Sequence, residues 1–542
     1  MTLQSTVLMT LRSTVRRLAW VGGAMTLAAS LSCMDLTVTN NNNPDRVRAT
    51  KTPGDVEGLI AGTFQRFWPN VYGTTPTIML SEMAYEFSTP FLCFGGQPNG
   101  LEPRPAWNNN SSYTYAGVSS TTWLNLYGVI SLANDGLQAL DRGIKIGPDG
   151  ANNSRARAFA KFMQGVAHGY LGLLWDRAVI IDEKTDVDTL VVPHYARYDT
   201  VITAAIGMLK QSIAISDTAK FSLPNAGWIP GLTVTNTDLS RLAHTYIARF
   251  EAYMARTPAE RAAVNWTDVI ANVDAGITTD FAPIGSPTTL SDSYKQIAAR
   301  VRTVPGDYMR GSGWLVGPAD STDAWKNWVA TPVANRVAFQ LRTQDRRIVG
   351  ADGVSTGSYF NYNTTISFYN PTRGTYLQSY YYYIRYGAGT SYQNGPLAAI
   401  GRTEMDMLKA EGLIRLNRAS EAVPLINKTR VANGKLPALD VSGPPNVAGC
   451  VPRKTTGACG SLWDALRYEK RIEGAGVDGQ VAYLDARGWN TLTENSFVMF
   501  PIPGRELEIQ QLPIYTYGGG GSGSAPKATW DACPTGVTLT RC

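Results

Sequence analysis

Apolar residues along this chain fall mostly into stripes of helical period, interrupted by one long stretch that follows no such rule. The densest run is 401–439, where Met405, Leu408, Gly412 and Leu416 recur at helical spacing, Asn417 and Arg418 break the stripe, and Ala422, Leu425, Ile426 and Thr429 resume it. Two short helices joined by a turn are predicted, with Ala410 and Gly412 small enough for the pair to approach closely. Such a hairpin cannot bury its apolar face alone and needs neighbours. The same period marks Asp55–Trp68 (Val56, Leu59, Ile60, Phe64) and a run from Trp123 through Leu126, Ile130, Ala133 and Leu137 to Leu140. It returns in Arg155–Trp175 (Phe159, Phe162, Val166, Gly169, Leu173), in Ile202–Ile213, in Leu239–Tyr253 and in the Trp266, Val269, Ile270, Val273 cluster. Thr257-Pro258-Ala259-Glu260 places a capping Thr, a Pro in the first turn and a Glu at the third helical position, which predicts a capping box. The helices fall into successive pairs without a strict sequence period.

Two stretches depart from this pattern. Residues 87–115 form a loop rich in Trp, Tyr, Asn and Pro, and from about 280 to 400 Gly, Ser, Thr and Tyr replace the stripes. Tyr359–Tyr392 holds ten of the chain's 26 tyrosines, including the run Tyr380–Tyr383, which favours strands and loops. Aromatic rings in such a segment can stack on the apolar C–H face of a sugar, or they can glue the segment to the helices. For the tyrosine run the second reading is preferred, because large aromatics most often supply buried area.

With 542 residues, 44% of them hydrophobic and 17% charged, the chain can bury a large core, as one helical body with long insertions or as two lobes. The formal charge of +6 includes Arg12, Arg16 and Arg17, and residues 1–32 carry no other charge, so residues 33–542 carry +3. That is too little for a nucleic-acid partner, which needs a concentrated basic face. Those arginines and the apolar run Leu18–Leu31, too short to span a bilayer, predict an export signal over 1–32. It ends at Leu31-Ser32-Cys33, which looks like a bacterial lipobox in which Cys33 is lipidated, although Ser30 stands where the usual motif has Leu. The competing reading is ordinary cleavage with Cys33 a bystander. The Asn-rich stretch within 33–54 suits a tether. Export permits disulfides: Cys450, Cys459, Cys533 and Cys542 form two C-x8-C spacings in Gly/Pro-rich surroundings, and the four allow three pairings. A fifth downstream cysteine, Cys93, stands apart. The three histidines, His168, His194 and His244, are scattered without ligand spacing, so neither a metal nor another cofactor is expected.

Several segments also resemble the SusD/RagB family of outer-membrane binding lipoproteins. Glu404-x3-Leu408-x-Ala410-Glu411-Gly412, then Glu421-Ala422, Leu425-Ile426-Asn427, Thr429-Arg430 and Leu436-Pro437, are similar to that family's last helical repeat. Glu469, Arg471 and Glu473, followed by Tyr483, Asp485, Arg487 and Trp489, resemble its E-x-R-x-E helix and the segment after it. Pro501, Ile502, Pro503, Glu506 and Leu507 resemble its closing PIP-x-x-E-L. The resemblance implies a mostly α fold, a tetratricopeptide-like helix-pair scaffold with a long aromatic loop and small-strand insertions. The expected organisation is signal 1–32, tether 33–54, helical repeats with a ligand loop 55–280, a loop- and strand-rich insertion 281–400, a helical pair with closing segment 401–512, and a Gly-rich tail 513–542. It implies a lid on a SusC-like TonB-dependent transporter, lipid-anchored at the outer membrane and capturing an oligosaccharide or a peptide. The tail beyond Leu512 departs from the family pattern.

The acids and bases of the Glu469–Arg487 segment could serve general acid/base catalysis. Structural ion pairs account for them more simply, and the chain has no Gly-rich phosphate loop, no G-x-S-x-G elbow and no H-E-x-x-H helix, so no active site is read. A scaffold lipoprotein without a small ligand, and a secreted glycan hydrolase, stay as alternatives. No family motif assigns ligand contacts to numbered positions. The candidates are aromatic and amide residues without an evident packing stripe: Trp107, Asn109, Tyr113 and Tyr115 in the first loop, and Tyr308 and Trp314 in the later insertion.

Overall fold

Thr52 opens the first helix, its hydroxyl accepting the Asp55 amide at 3.2 Å, with Pro53 in the first turn where its missing N–H costs nothing. The computed structural model describes residues 50–73, 76–90, 95–187, 194–286, 288–290, 294–295, 309–364, 371–386 and 395–541. The expected signal, Cys33, Cys93, Tyr308, Cys542 and most of the expected tether lie outside the described residues. Helices of seven residues or more among the described residues are α1 Pro53–Trp68, α2 Thr77–Met83, α3 Gly117–Asp141, α4 Asn153–Leu174, α5 Tyr198–Thr218 and α6 Asn236–Tyr253. They continue with α7 Trp266–Ala275, α8 Ala324–Ala330, α9 Arg402–Arg415, α10 Ala419–Ala432, α11 Leu462–Gly474 and α12 Gly479–Gly488.

The fold is mostly α-helical, as expected, and the strands are short antiparallel pairs such as Phe360–Tyr362 with Tyr381–Tyr383. The scaffold is a stack in which each helix packs on the next: α1 on α3, then α4, α5, α6, α7 and α9, with α9 carrying α10 and α11. Helix α4 shows why a stripe undersells a central helix. Every residue from Ala158 to Leu174 is buried, and Gly169 and Gly172 admit the neighbours, since a Cβ at Gly169 would lie 2.0 Å from the Phe250 ring and one at Gly172 2.8 Å from Ile202. The α9–α10 hairpin forms as predicted, turning through Asn417 at φ +59°. Its close approach is elsewhere than expected: a Cβ on Gly412 would meet Trp266 and Ile270 of α7 at 3.1 Å, so the glycine joins the hairpin to the preceding repeat. The Thr257 box is half made, because Glu260 Oε2 accepts from the Arg256 amide at 2.6 Å while Thr257 accepts from Glu260.

Buried ion pairs tie distant parts of the chain to this stack. Arg249 on α6 donates to Glu404 of α9 at 2.8 Å and to Asp478, the cap of α12, at 3.0 Å. Arg261 grips Glu411 at 2.7 and 2.9 Å and reaches Asp485 at 3.1 Å, which also accepts from Lys470 at 2.8 Å. Burial would raise the Glu411 carboxyl, but Arg261 and Arg415 hold it well below the usual carboxylate range. Arg347 donates to Asp345 at 2.7 Å, Glu469 at 2.6 Å and Glu473 at 2.9 Å. Glu404, Glu411, Glu469, Glu473 and Asp485 therefore anchor arginines, as the ion-pair reading expects for the last three. Arg471 and Arg487 differ: each donates to backbone carbonyls, Arg471 to Ala84 and Tyr85, Arg487 to Tyr253, Ala255 and Val498.

Residues 513–541 pack back onto the body. Tyr515 and Tyr517 donate to the Asp176 carboxylate at 2.8 and 3.0 Å, and Ala525 is buried. Cys450 and Cys459 form a disulfide, and Cys533 is disulfide-bonded as well. Most of the tyrosine run acts as packing: Tyr381, Tyr382 and Tyr383 are buried, and Tyr380 is half-buried.

Candidate functional site

Ser461 and Asp464 form a capping box at the start of α11, which fixes the helix in register. Arg467 and Arg471 then lie one turn apart on one side, and Glu469 and Glu473 one turn apart on another. The glutamate side meets Arg347. The arginine side borders an open pocket walled by Trp314, Trp325, Trp489 and Trp530 and bounded by Arg453, Asp464 and Thr491.

Local sequence explains the walls. Ser312 caps a short helix, its hydroxyl accepting the Trp314 amide at 3.1 Å, and so presents Trp314. Asp320 Oδ2 accepts the Trp325 amide at 3.0 Å and sets the start of α8, which supplies Trp325 and Trp328. Trp530 arrives from the tail and stacks on Trp314 with centroids 4.5 Å apart and planes 15° apart, while Tyr85 lies on Trp314 at 6.3 Å. Trp325 and Trp328 meet Trp314 edge-on at 6.2 and 5.7 Å. The Cys450–Cys459 bridge closes the loop that carries Arg453, and Arg453 is paired with Asp323 at 2.7 Å.

Charge in the pocket is unevenly neutralised. Arg467 has Asp464 at 2.6 Å and also donates to the Trp530 carbonyl. Arg471 makes no carboxylate contact; its Nη2 reaches only the carbonyls of Ala84 and Tyr85 at 3.1 and 2.9 Å. Burial lowers its pKa to about 10, with Glu86 opposing and Arg467 adding to the fall, so it is charged at neutral pH.

The residues expected to bind ligand are scattered. Trp107 is 1% exposed and sits in a nest with Phe500, Tyr113 and Phe497 at 5.1, 5.7 and 5.8 Å, which corrects the view that no packing role explains it. Its partners lie far off in sequence, so no local stripe reveals them. Asn109 is buried too. Its amide donates to the carbonyls of Ile502 and Tyr515 at 2.9 and 3.0 Å and accepts from the Gly504 amide at 3.0 Å, clamping the Pro501–Leu507 segment. Tyr113 and Tyr115 are half-buried, edge to face at 5.6 Å. Trp314 alone of the described five lines the tryptophan pocket. Trp325, Trp530, Arg467 and Arg471 were not among the candidates. A signal for Arg471 exists only in retrospect: Glu469 and Glu473 pair with Arg347, Arg430 and Arg385 from elsewhere in the chain and leave the motif's own arginine over. Among the described residues no cluster of His, Cys, Asp and Glu could hold a metal ion.

No protein-family model matches the chain, and no curated protein matches it. Solved structures do. A SusD homologue from Bacteroides thetaiotaomicron superposes with a TM-score of 0.54 at 13% identity, covering 85% of this chain and 97% of that one. The fold is that of the SusD superfamily. A SusD superfamily protein from Bacteroides vulgatus gives a TM-score of 0.52 at 11% identity, covering 82% of this chain and 89% of its own. Another from Bacteroides thetaiotaomicron gives 0.51 at 15%, covering 82% and 91%. At such identities the likeness concerns the SusD-like architecture, and the pocket is described from this chain's own side chains.

Proposed function

We propose that this SusD-like protein is a nutrient-binding lipoprotein that captures an oligosaccharide in the tryptophan-walled pocket and passes it to a SusC-like TonB-dependent transporter. The observation that carries the reading is the wall itself: four tryptophans from three separate parts of the chain converge on one open pocket beside charged and hydroxyl groups. Flat aromatic faces take up the apolar face of a sugar ring, and the polar groups between them meet its hydroxyls. The SusD-like fold supports the partnership, because a stacked helical face offers a wide surface for a barrel, apart from the pocket lined by α11, α8 and the loops around them. Anchoring through lipidated Cys33 at the outer membrane completes the reading; among the described residues no helix is long and apolar enough to cross a membrane. Binding without turnover fits the engagement of the Glu469, Glu473 and Asp485 carboxylates by arginines and Lys470.

Isothermal titration of the purified protein against a panel of neutral and acidic glycans and peptides tests this. Glycan binding that weakens in Trp314→Ala supports it. Failure of every glycan to bind would contradict it and leave a scaffold lipoprotein, and product formation in the same panel would show a hydrolase. Cys33→Ser is expected to release the protein from membranes, since acyl chains hold it there.

A further inference from the structure

The walls of the tryptophan pocket carry an unusual set of buried polar atoms. Arg467 Nε and Nη1, Arg471 Nε, Trp325 Nε1 and Thr491 Oγ1 all belong to residues that line the pocket, and none has a hydrogen-bond partner. The four nitrogens can only donate, and the hydroxyl can donate as well. All five atoms are sealed from solvent in this conformation, so water does not satisfy them and the lining side chains must turn for a ligand to reach them. The acids that line the pocket are already engaged. Asp464 accepts from Arg467 at 2.6 Å and from the Ser461 amide at 2.8 Å, and Asp531 accepts the Thr455 amide at 2.9 Å. What is left over is therefore donors and positive charge, without a matching acceptor.

We infer that the pocket recognises the carboxylate of an acidic sugar, a uronate residue within an oligosaccharide. Resting on the glycan reading above, this narrows its ligand class. A carboxylate offers about four lone-pair positions on two oxygens in one plane, which suits two guanidinium groups one helical turn apart with an indole N–H and a hydroxyl beside them. A neutral sugar hydroxyl can accept from these donors but carries no charge to answer the guanidinium groups, and its own O–H meets acids that are already engaged. The tryptophan walls provide apolar surface for the ring that bears the carboxylate, although Trp314 itself is already stacked by Trp530 and Tyr85. Arg471 is suited to this task because the carbonyls of Ala84 and Tyr85 fix its orientation without cancelling its charge.

The test is titration calorimetry with three probes: tri-galacturonate, the same trisaccharide with its carboxyl groups methyl-esterified, and tri-glutamate. The acid is expected to bind at least about tenfold more tightly than the ester, as for hydrogen bonds to a charged group. Arg471→Gln is expected to remove most of that preference. Should Arg471→Gln fail to fold, Thr491→Val, which changes one hydroxyl for a methyl of similar size, is expected to reduce the preference by severalfold at an unchanged melting temperature. Equal affinity for acid and ester overturns the inference and leaves glycan binding standing. Binding of tri-glutamate alone overturns both readings. Absence of binding by all three probes overturns the inference, and the glycan panel then decides the broader reading by itself. Acid preference that survives in both folded variants also overturns it, since the carboxylate would then sit elsewhere.

Discussion

Two sides of helix α11 bury charge in opposite ways. On one, Glu469 and Glu473 share Arg347 with Asp345, Tyr359 donates to Glu473 at 2.9 Å and Tyr468 to Asp345 at 2.7 Å. On the other, Arg467 and Arg471 keep buried donors without a hydrogen-bond partner in the wall of a pocket. A buried charge whose partners are complete holds the fold together. A buried charge whose partners are incomplete has capacity for something else, because unsatisfied donors cost stability unless a ligand or water meets them. The distinction is invisible in the letters E-x-R-x-E, where acid and base alternate evenly.

The largest effect that sharpens the contrast is expected from Arg347→Ala. It leaves Asp345 without an arginine, and Glu469 and Glu473 with only Arg430 at 3.4 Å and Arg385 at 3.3 Å, and is expected to cost about 3–5 kcal/mol, read as a lowered denaturation midpoint with an unchanged slope. A mild loss would mean that the network is less tightly buried than described. Trp107→Ala is expected to cost a similar amount, about 3–5 kcal/mol, because it empties the nest among Phe497, Phe500 and Tyr113. Glycan affinity in the surviving folded fraction should not change, and a selective loss of affinity at full stability would restore Trp107 as a binding residue.

A third test uses pH. Burial lowers the His168 pKa to about 4 from the ordinary 6.5, with its Nδ1 at 2.8 Å from the Gln164 carbonyl and its Nε2 accepting the Ile181 amide at 3.2 Å. Between those values the unfolded chain binds the proton and the folded one does not. Stability is therefore complete above pH 6.5 and falls as the pH drops toward 4, by up to about 3 kcal/mol for this one group. His168→Gln is expected to flatten that part of the pH–stability curve, and a curve of unchanged slope would show that His168 does not control it. The smallest effect belongs to Thr491→Val, whose hydroxyl has no partner in the fold, with a stability change of about 0.5 kcal/mol or less.

Much of the scaffold was legible because its helices repeat their apolar residues at the helical period. The 123–140 stripe gives α3, and Asn417 marks the turn of the α9–α10 hairpin. The site was legible only through Trp314. Trp107 and Asn109 looked free because their partners, Phe500, Ile502 and Tyr515, lie some 400 residues away, and local pattern carries no information about contacts at that range. Trp530 was hidden for the same reason: it sits in a Gly-rich tail that departs from the SusD/RagB pattern, yet that tail supplies one wall of the pocket.

The central claim is that one side of α11 serves the fold and the other serves a ligand. It is tested most directly by measuring melting temperature and tri-galacturonate affinity together for the Glu469→Gln, Glu473→Gln double variant and for Arg471→Gln. The account predicts a lowered melting temperature with affinity retained for the glutamine pair, and at least about a tenfold loss of affinity with a smaller thermal change for Arg471→Gln. Affinity lost in a thermally intact glutamine pair, with Arg471→Gln binding normally, would contradict it.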